Sequence, residues 1–404
     1  MFTYLIIGAG AQGASCAAIL ANDGDTKKII LADINLIQAQ KVAEHIGSSR
    51  IQVVRVDADN VADIVVAATG VDIILNFALL KFNENIMRAA IEVGAHYIDT
   101  AFDNPIWNQI ETEHPLKIGV DFSEKGITGI VGCGGAPGLI NVFARHICDG
   151  MDEVESIKIR VGHKDLVERD RITTWIPSWC PEIALTDYSD PPTVFTDGNY
   201  TVVPAFDGLE EYEFPAPVGK NFIAHHHHEE PVTLPRFIGK GIKHAEFKYA
   251  VDLNAASLVK MGFSSYEKLN VKGVEVAPID VLMKLVKQPS DTFFSETEET
   301  AKNDPVVAHP YLVEVEGKKD GKNKSHKIWY PSSLTSSGIE KLDVFKKFGT
   351  TSIAVALPAV AGAKMILKGK SEIGVISPEC LDPKAFLTEM SEIGWAVKYE
   401  EEIK

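Results

Sequence analysis

Apolar and polar residues follow two rhythms in the first third of the chain. Short apolar runs at 4–7, 28–33, 52–56, 72–76, 95–99 and 127–131 predict strands. Between them, apolar positions three and four apart predict helices at 11–22, 36–46, 60–67, 84–93 and 106–125, the last kinked at Pro115. Strands joined through helices run parallel, so this region predicts a parallel sheet. Gly24, Gly70 and Gly94 fall where the helical patterns stop.

The rhythm changes after Gly138. A helix at 139–148 leads into strand patterns at 156–161, 194–195, 200–203, 243–252, 310–315 and 326–329, with helices such as 278–286 covering one face. The polar stretch from Gly317 to Ser325 lies between two of these strands and predicts a hairpin turn. From Gly349 the helical period returns, at 354–367 and 383–393. This order predicts an α/β protein. A Rossmann doubly wound parallel sheet is built from 1–135 plus 349–404, and 136–348 form an inserted α+β catalytic domain with a mostly antiparallel sheet.

Composition narrows the class. The 404 residues are 45% hydrophobic and carry a formal net charge of −16, which disfavours nucleic acid as a partner. The five cysteines are scattered without a paired spacing, as in a chain kept reduced, and the first residues show no basic leader pattern; a cytoplasmic protein is expected. The longest apolar stretch, 351–367, is interrupted by Pro358, so no membrane span is expected.

Residues 8–13 read Gly-Ala-Gly-Ala-Gln-Gly, directly after an apolar strand and before an alanine-rich helix. Gly8 permits the tight turn, Gly10 lets a diphosphate approach the backbone, and Gly13 lets helix and strand pack closely; Ala11 and Gln12 open the helix whose free N–H groups receive the diphosphate. Asp33 ends the second strand, twenty residues after Gly13, where a carboxylate accepts hydrogen bonds from the adenosine ribose and repels a 2′-phosphate. With no Arg or Lys in Ile34-Asn35-Leu36, NAD is the expected cofactor. Asp57 is a candidate contact to adenine or a plain loop residue, and Asn76 and Ala78 lie where the fourth strand meets the nicotinamide side.

Three stretches carry a resemblance: Asn83 to Asp99; Gly134-Gly-Ala-Pro-Gly-Leu-Ile-Asn141 followed by 152–157; and Gly374-Val-Ile-Ser-Pro-Glu379 with 381–387. With the glycine fingerprint, they make the chain resemble the saccharopine dehydrogenase family, and within it the NAD-dependent lysine 6-dehydrogenase type. That resemblance implies hydride transfer between nicotinamide and a carbon bearing nitrogen, lysine metabolism, and a homodimer through the inserted sheet. Saccharopine-forming members place Asp where this chain has Ala136, before Pro137, and a Cys in the following strand, where this chain reads Arg160-Val161-Gly162. The lysine 6-dehydrogenase type has Ala before that proline, but its glycine-rich stretch before Thr-Leu-x-Arg is here His225-His-His-His-Glu-Glu-Pro-Val232, before Thr233-Leu-Pro-Arg236. Reductive coupling of an amine to a carbonyl, as in saccharopine or carboxynorspermidine dehydrogenases, is the alternative. A catalytically silent dinucleotide-binding regulator is the alternative of another class.

Oxidising an amine requires a neutral nitrogen, and a general base with a pKa near 7 suits the task. His163, His225 within the 225–228 run, Asp99 and Asp103 are the candidates; each reads more readily as an ordinary hydrogen-bonded or solvated side chain. Arg236 is the candidate clamp for a substrate carboxylate, and Glu229 and Glu230 for a second, cationic amine. Trp175 and Trp179 wall an apolar pocket or belong to the core. Consecutive imidazoles in a strand point alternately, and no zinc-ligand spacing occurs, so no catalytic metal is expected.

Overall fold

The computed structural model describes residues 1–102, 118–166, 175, 177, 179–303, 307–331 and 338–404. Six strands, β1 (Phe2–Ile7), β2 (Thr26–Asp33), β3 (Ile51–Arg55), β4 (Ile73–Asn76), β5 (His96–Asp99) and β6 (Thr128–Ile130), alternate with α1 (Ala11–Ala21), α2 (Leu36–Ile46), α3 (Val61–Ala68) and α4 (Asn83–Val93). All of these elements start and end within two residues of the expected bounds. Parallel strands covered on both faces are continuous apolar runs, and Ile6, Leu31 and Leu75 are indeed fully buried. The side chains of Asn35 and Asn60 cap α2 and α3, and Gly47 and Gly94 end α2 and α4 in left-handed conformation.

The sheet has the order (374–376)-β6-β5-β4-β1-β2-β3 and is parallel throughout. The chain leaves β1 toward β2 on one side and returns at β4 on the other, so a crevice opens at the carboxyl ends of β1 and β4. The strand Gly374–Ile376 completes this sheet beside β6, and the helix Ala356–Leu367 packs on α1. Of the expected helix 106–125, Ile118–Glu124 is helical, and 103–117 lie outside the described residues.

Among the described residues the second sheet has nine strands, built on β7 (Glu153–Val161). β7 pairs in parallel with His244–Ala250, and the other described pairs are antiparallel. The expected hairpin is Pro310–Lys319 with Lys322–Pro331, turning tightly at Asp320-Gly321, where both residues have positive φ. One face presents Ile157, Ile159, Phe247, Val313 and Ile328 to the core, beneath the helices Leu139–Asp149 and Glu230–Ile238. The final strand, Glu400–Ile403, pairs with Lys322–Pro331 in this second sheet. The end of the expected 349–404 Rossmann segment therefore departs from the first sheet, its backbone groups pairing with the edge of the second.

Candidate active site

At the glycine loop, a Cβ on Gly8, whose φ is +98°, would lie 2.8 Å from the Phe77 backbone, and one on Gly13 would lie 1.8 Å from the Gly8 carbonyl oxygen. These two glycines are required by the protein itself. A Cβ on Gly10 would meet nothing within 4 Å. Gly10 is the N-cap of α1 and supplies no side-chain cap, and the first turn holds no acid. The open helix N-terminus offers N–H groups and a positive dipole end to an anion, so a diphosphate fits there, and Gly8, Gly10, Ala11, Gln12 and Gly13 are the residues that would hold it. Asp33 is fixed at its mouth: Oδ2 accepts from the Ala9 N–H (2.7 Å) and Oδ1 from the Asn35 N–H (2.7 Å). Arg55 is the register neighbour of Asp33 on β3, a cation brought beside it by strand pairing and therefore absent from any local motif. Asp57 accepts from the Asp59 N–H (3.1 Å) in its own turn.

Below the crevice lies a buried polar network. The Asn76 Nδ2 donates to Asn83 Oδ1 (2.8 Å) and Tyr97 OH (3.0 Å), and its Oδ1 accepts from the Ala78 N–H (2.9 Å). Asn76, expected against the nicotinamide, spends its side chain on shaping the loop that carries Ala78. Asp99 accepts from the Gly132 N–H (2.6 Å) through Oδ1, and from Tyr97 OH (2.8 Å) and Asn83 Nδ2 (3.3 Å) through Oδ2. Burial pushes its carboxyl up to about 8 despite these donors, with Glu229 adding to the rise. Asn83 and Tyr97 were not anticipated as parts of the site.

The histidine run leads to Glu229, whose charge acts on Asp99. Only His225 lies in a strand, Gly219–His225; His226–His228 form a turn into the helix Glu230–Ile238. The Nε2 of His225 pairs with Glu246 at 2.8 Å, on the polar face of the second sheet that also holds Arg160 and Lys248. Its neighbour His226 turns the other way, stacking on Tyr249 at 5.0 Å, and burial pulls its pKa well down. His228 stacks on Phe247 at 3.8 Å, and its Nδ1 pairs with Glu230 Oε2 at 2.6 Å. Burial opposes its charge, but Glu230, Glu229 and Asp187 outweigh that and raise it to about 9.

Glu229 and Glu230 are buried at the start of the helix, where its dipole favours carboxylates. Glu229 Oε1 accepts from the Phe102 N–H (3.1 Å), just past β5, and burial lifts its carboxyl to about 7. Glu230 is wholly buried; its Oε1 has no hydrogen-bond partner among the described residues. Tyr311 and Tyr330, stacked at 5.2 Å, feel its charge, and burial with that charge pushes both phenols up. The hydroxyl of Tyr330 donates to the Gly135 carbonyl (3.4 Å), which joins this wall to the 134–138 loop. The ligand-type atoms of His228, Glu229 and Glu230 lie within 4.8 Å of one another. With its pKa raised, His228 meets the two carboxylates as a cation, 2.6 Å from Glu230 and 3.6 Å from Glu229.

The remaining candidates stand apart. His163 is half-exposed, 3.8 Å from Asp165 and edge-on to His309 at 5.7 Å. Trp175 is buried in the core, and Asp103 lies outside the described residues. Arg236 lies on the same helix as Glu230 and is partly buried, which lowers its pKa. Seven residues separate it from Glu229, two turns on the same side of the helix and about 10 Å along the axis.

Residues 4–130 match the saccharopine dehydrogenase NADP binding domain, and 134–395 the saccharopine dehydrogenase C-terminal domain. The chain is 24% identical to a carboxyaminopropylagmatine dehydrogenase of Synechocystis, over 98% of this chain and 96% of that protein. It is 26% identical to a carboxynorspermidine synthase of Vibrio alginolyticus, over 98% and 96%. In fold it is similar to saccharopine dehydrogenase (L-Glu forming) of Saccharomyces cerevisiae, with a TM-score of 0.69 at 13% identity, covering 100% of both chains. It is also similar to a homospermidine synthase of Legionella pneumophila solved with NAD, with a TM-score of 0.66 at 11% identity, covering 99% of this chain and 91% of that one.

Proposed function

The chain belongs to the saccharopine dehydrogenase family, and from that premise we propose that it couples a primary amine to a carbonyl compound and reduces the resulting imine, in polyamine rather than lysine metabolism. It is an oxidoreductase of carbon–nitrogen bonds, with hydride supplied by a nicotinamide dinucleotide. Two relatives aligned over nearly the whole chain have polyamine names, which moves the reading from the lysine 6-dehydrogenase type to the coupling alternative.

One observation carries this reading: the buried Oε1 of Glu230, which has no hydrogen-bond partner among the described residues. A buried carboxylate oxygen without a donor is costly, and an ammonium group of a substrate satisfies it. In coupling, the amine nitrogen adds to the carbonyl carbon, water departs, the imine carbon takes hydride and nitrogen keeps a proton. Glu229, beside Phe102 at the end of β5, is the group to give and take that proton; Glu230 holds the amine's distal ammonium, and Arg236 the carboxylate of the carbonyl partner. The Asp33 carboxylate supports NAD as the cofactor. The homodimer and the cytoplasmic location belong to the same reading, the latter supported by the free buried thiols of Cys16, Cys133 and Cys148.

The test follows reduced-dinucleotide absorbance with diaminopropane, putrescine or agmatine offered beside an amino-acid semialdehyde or keto acid, in both directions. Coupling that needs both compounds is expected. Oxidation of lysine alone, without coupling, would restore the lysine 6-dehydrogenase reading. Dinucleotide binding with no turnover of any amine would favour a silent regulator.

A further inference from the structure

We propose that Glu296 is a positioning residue for the dinucleotide, acting through Thr351 and Ser352 on Gln12 of the glycine loop. The inference needs only a dinucleotide at that loop, not the amine chemistry.

Gln12 is the second residue of α1, so its backbone N–H is among those facing a diphosphate. Its side chain does not float. Nε2 donates to the Ser352 hydroxyl (3.3 Å), while its Oε1 is buried and has no hydrogen-bond partner among the described residues. Ser352 sits on a turn clamped by one carboxylate. The Thr351 N–H donates to both oxygens of Glu296, at 3.2 and 3.1 Å, and the Thr351 hydroxyl donates to Oε1. The Ser352 N–H donates to the Thr350 hydroxyl (3.1 Å), closing the turn.

Glu296 comes from a segment 55 residues earlier in the sequence. It directly follows the helix Pro289–Ser295, whose Phe293 and Phe294 rings lie 5.2 and 5.6 Å from His45 at the end of α2. That helix also packs on α1. The clamped turn reaches a second place: the Ala354 carbonyl oxygen would lie 3.0 Å from a Cβ on Gly135, and Val355 3.2 Å from one on Gly134. One turn therefore touches both the diphosphate loop and the glycine loop that leads to the second sheet. A carboxylate accepting three charge-assisted bonds from a single residue fixes the turn firmly. Fixing it in advance removes an ordering cost that binding would otherwise carry.

The test is a titration of NADH into the full-length protein, read by its fluorescence, with thermal midpoints measured alongside. It needs no amine substrate, so its outcome is separable from that of the coupling assay. Glu296→Ala is expected to raise the Kd for NADH about tenfold, the equivalent of one lost charge-assisted hydrogen bond. Glu296→Gln keeps one acceptor oxygen and should fall between. Ser352→Ala, which leaves the Glu296–Thr351 clamp intact, should weaken NADH binding with little change in midpoint. A loss of midpoint in Glu296→Ala with wild-type Kd in both Ala variants would overturn the proposal and leave Glu296 a purely structural brace. Should Glu296→Ala fail to fold, the Ser352→Ala titration decides alone.

Discussion

The carboxylate of Glu229 accepts the backbone N–H of Phe102 at 3.1 Å, across 127 residues of sequence. This bond pins the start of the inserted helix to the loop after β5, at the carboxyl edge of the parallel sheet. Ligands of open α/β sheets lie outside that edge. The same bond leaves Glu229 Oε2 on the side of His228, 3.6 Å from its Nδ1.

A proton-transfer role for Glu229 has a pH signature. With its carboxyl lifted to about 7, it is protonated below and ionised above neutrality. As an acid in reductive coupling, it should make kcat/KM fall as pH rises through about 7; as a base in the reverse direction, it should make the rate rise there. Glu229→Gln should flatten that limb and lower kcat by roughly a hundredfold or more. A limb that survives unchanged in the variant assigns the proton to another group.

Stability should fall toward alkaline pH. Asp99 is raised from its ordinary 3.8 to about 8, so the folded state holds a proton that the unfolded state has lost between those values. Its favourable contribution is complete below the lower value and disappears as pH rises through the higher. Glu229, raised to about 7, and His228, raised to about 9, act in the same direction. The thermal midpoint should therefore drop between pH ~5.5 and ~8.5, and Asp99→Asn should reduce the slope. Equal slopes in the variant and wild type would refute the assignment to Asp99.

The glycine loop separates two kinds of requirement. Gly13→Ala places a methyl 1.8 Å from the Gly8 carbonyl oxygen and should cost stability as well as binding. Gly10→Ala meets nothing within 4 Å, so its thermal midpoint should stay near that of wild type while affinity for the dinucleotide collapses. Calorimetry on both variants, with an NADH titration, makes the comparison. Retained binding in Gly10→Ala would mean that the diphosphate lies elsewhere.

The first sheet was legible because buried parallel strands are continuous apolar runs punctuated by helix caps, and the glycine fingerprint falls between two of them. The second sheet was legible only in part. Glu210–Phe214 and Glu400–Ile403 are strands made largely of acidic residues; the first offers the core only Tyr212 and Phe214, and the second, exposed throughout, is held by edge pairing. Glu230–Ile238 hides its helical period behind Pro231 and Pro235, and Thr233-Leu-Pro-Arg236 gave no sign of being helical. The acids at 229 and 230 stood out by type, but their setting did not. Phe102, Tyr311 and Tyr330 converge on them from positions some hundred residues away, and convergence of that range leaves no local period. His225 and His228 look alike in sequence; only the strand end between them sends one to Glu246 and the other to Glu230.

Asp33 governs the choice between NAD and NADP if its fixed carboxylate meets the ribose. Wild type should then prefer NAD in kcat/KM, and Asp33→Ser combined with Ile34→Arg should shift the preference toward NADP. Arg55, its register neighbour, supplies the competing charge. Efficient use of NADP by wild type that is lost in Arg55→Ala would show that this arginine outweighs the aspartate.

Arg236 tests the other end of the helix. Its guanidinium is partly buried, and burial lowers its pKa, so desolvation strengthens any carboxylate it meets. It lies two helical turns from Glu229, far enough to receive one end of a substrate while the reacting nitrogen stays near Glu229. Arg236→Ala should raise KM for the carboxylate-bearing carbonyl compound by roughly 30- to 1000-fold, the equivalent of about 2–4 kcal/mol for a bidentate charge-assisted contact. KM for the amine and affinity for the dinucleotide should move little. Arg236→Lys should recover only part of the loss, because an ammonium cannot present a planar pair of donors. Steady-state kinetics with each substrate varied in turn separates these effects. An unchanged KM for the carbonyl compound in Arg236→Ala would place its carboxylate away from this helix, and a parallel rise in KM for the amine would show that the helix itself had shifted.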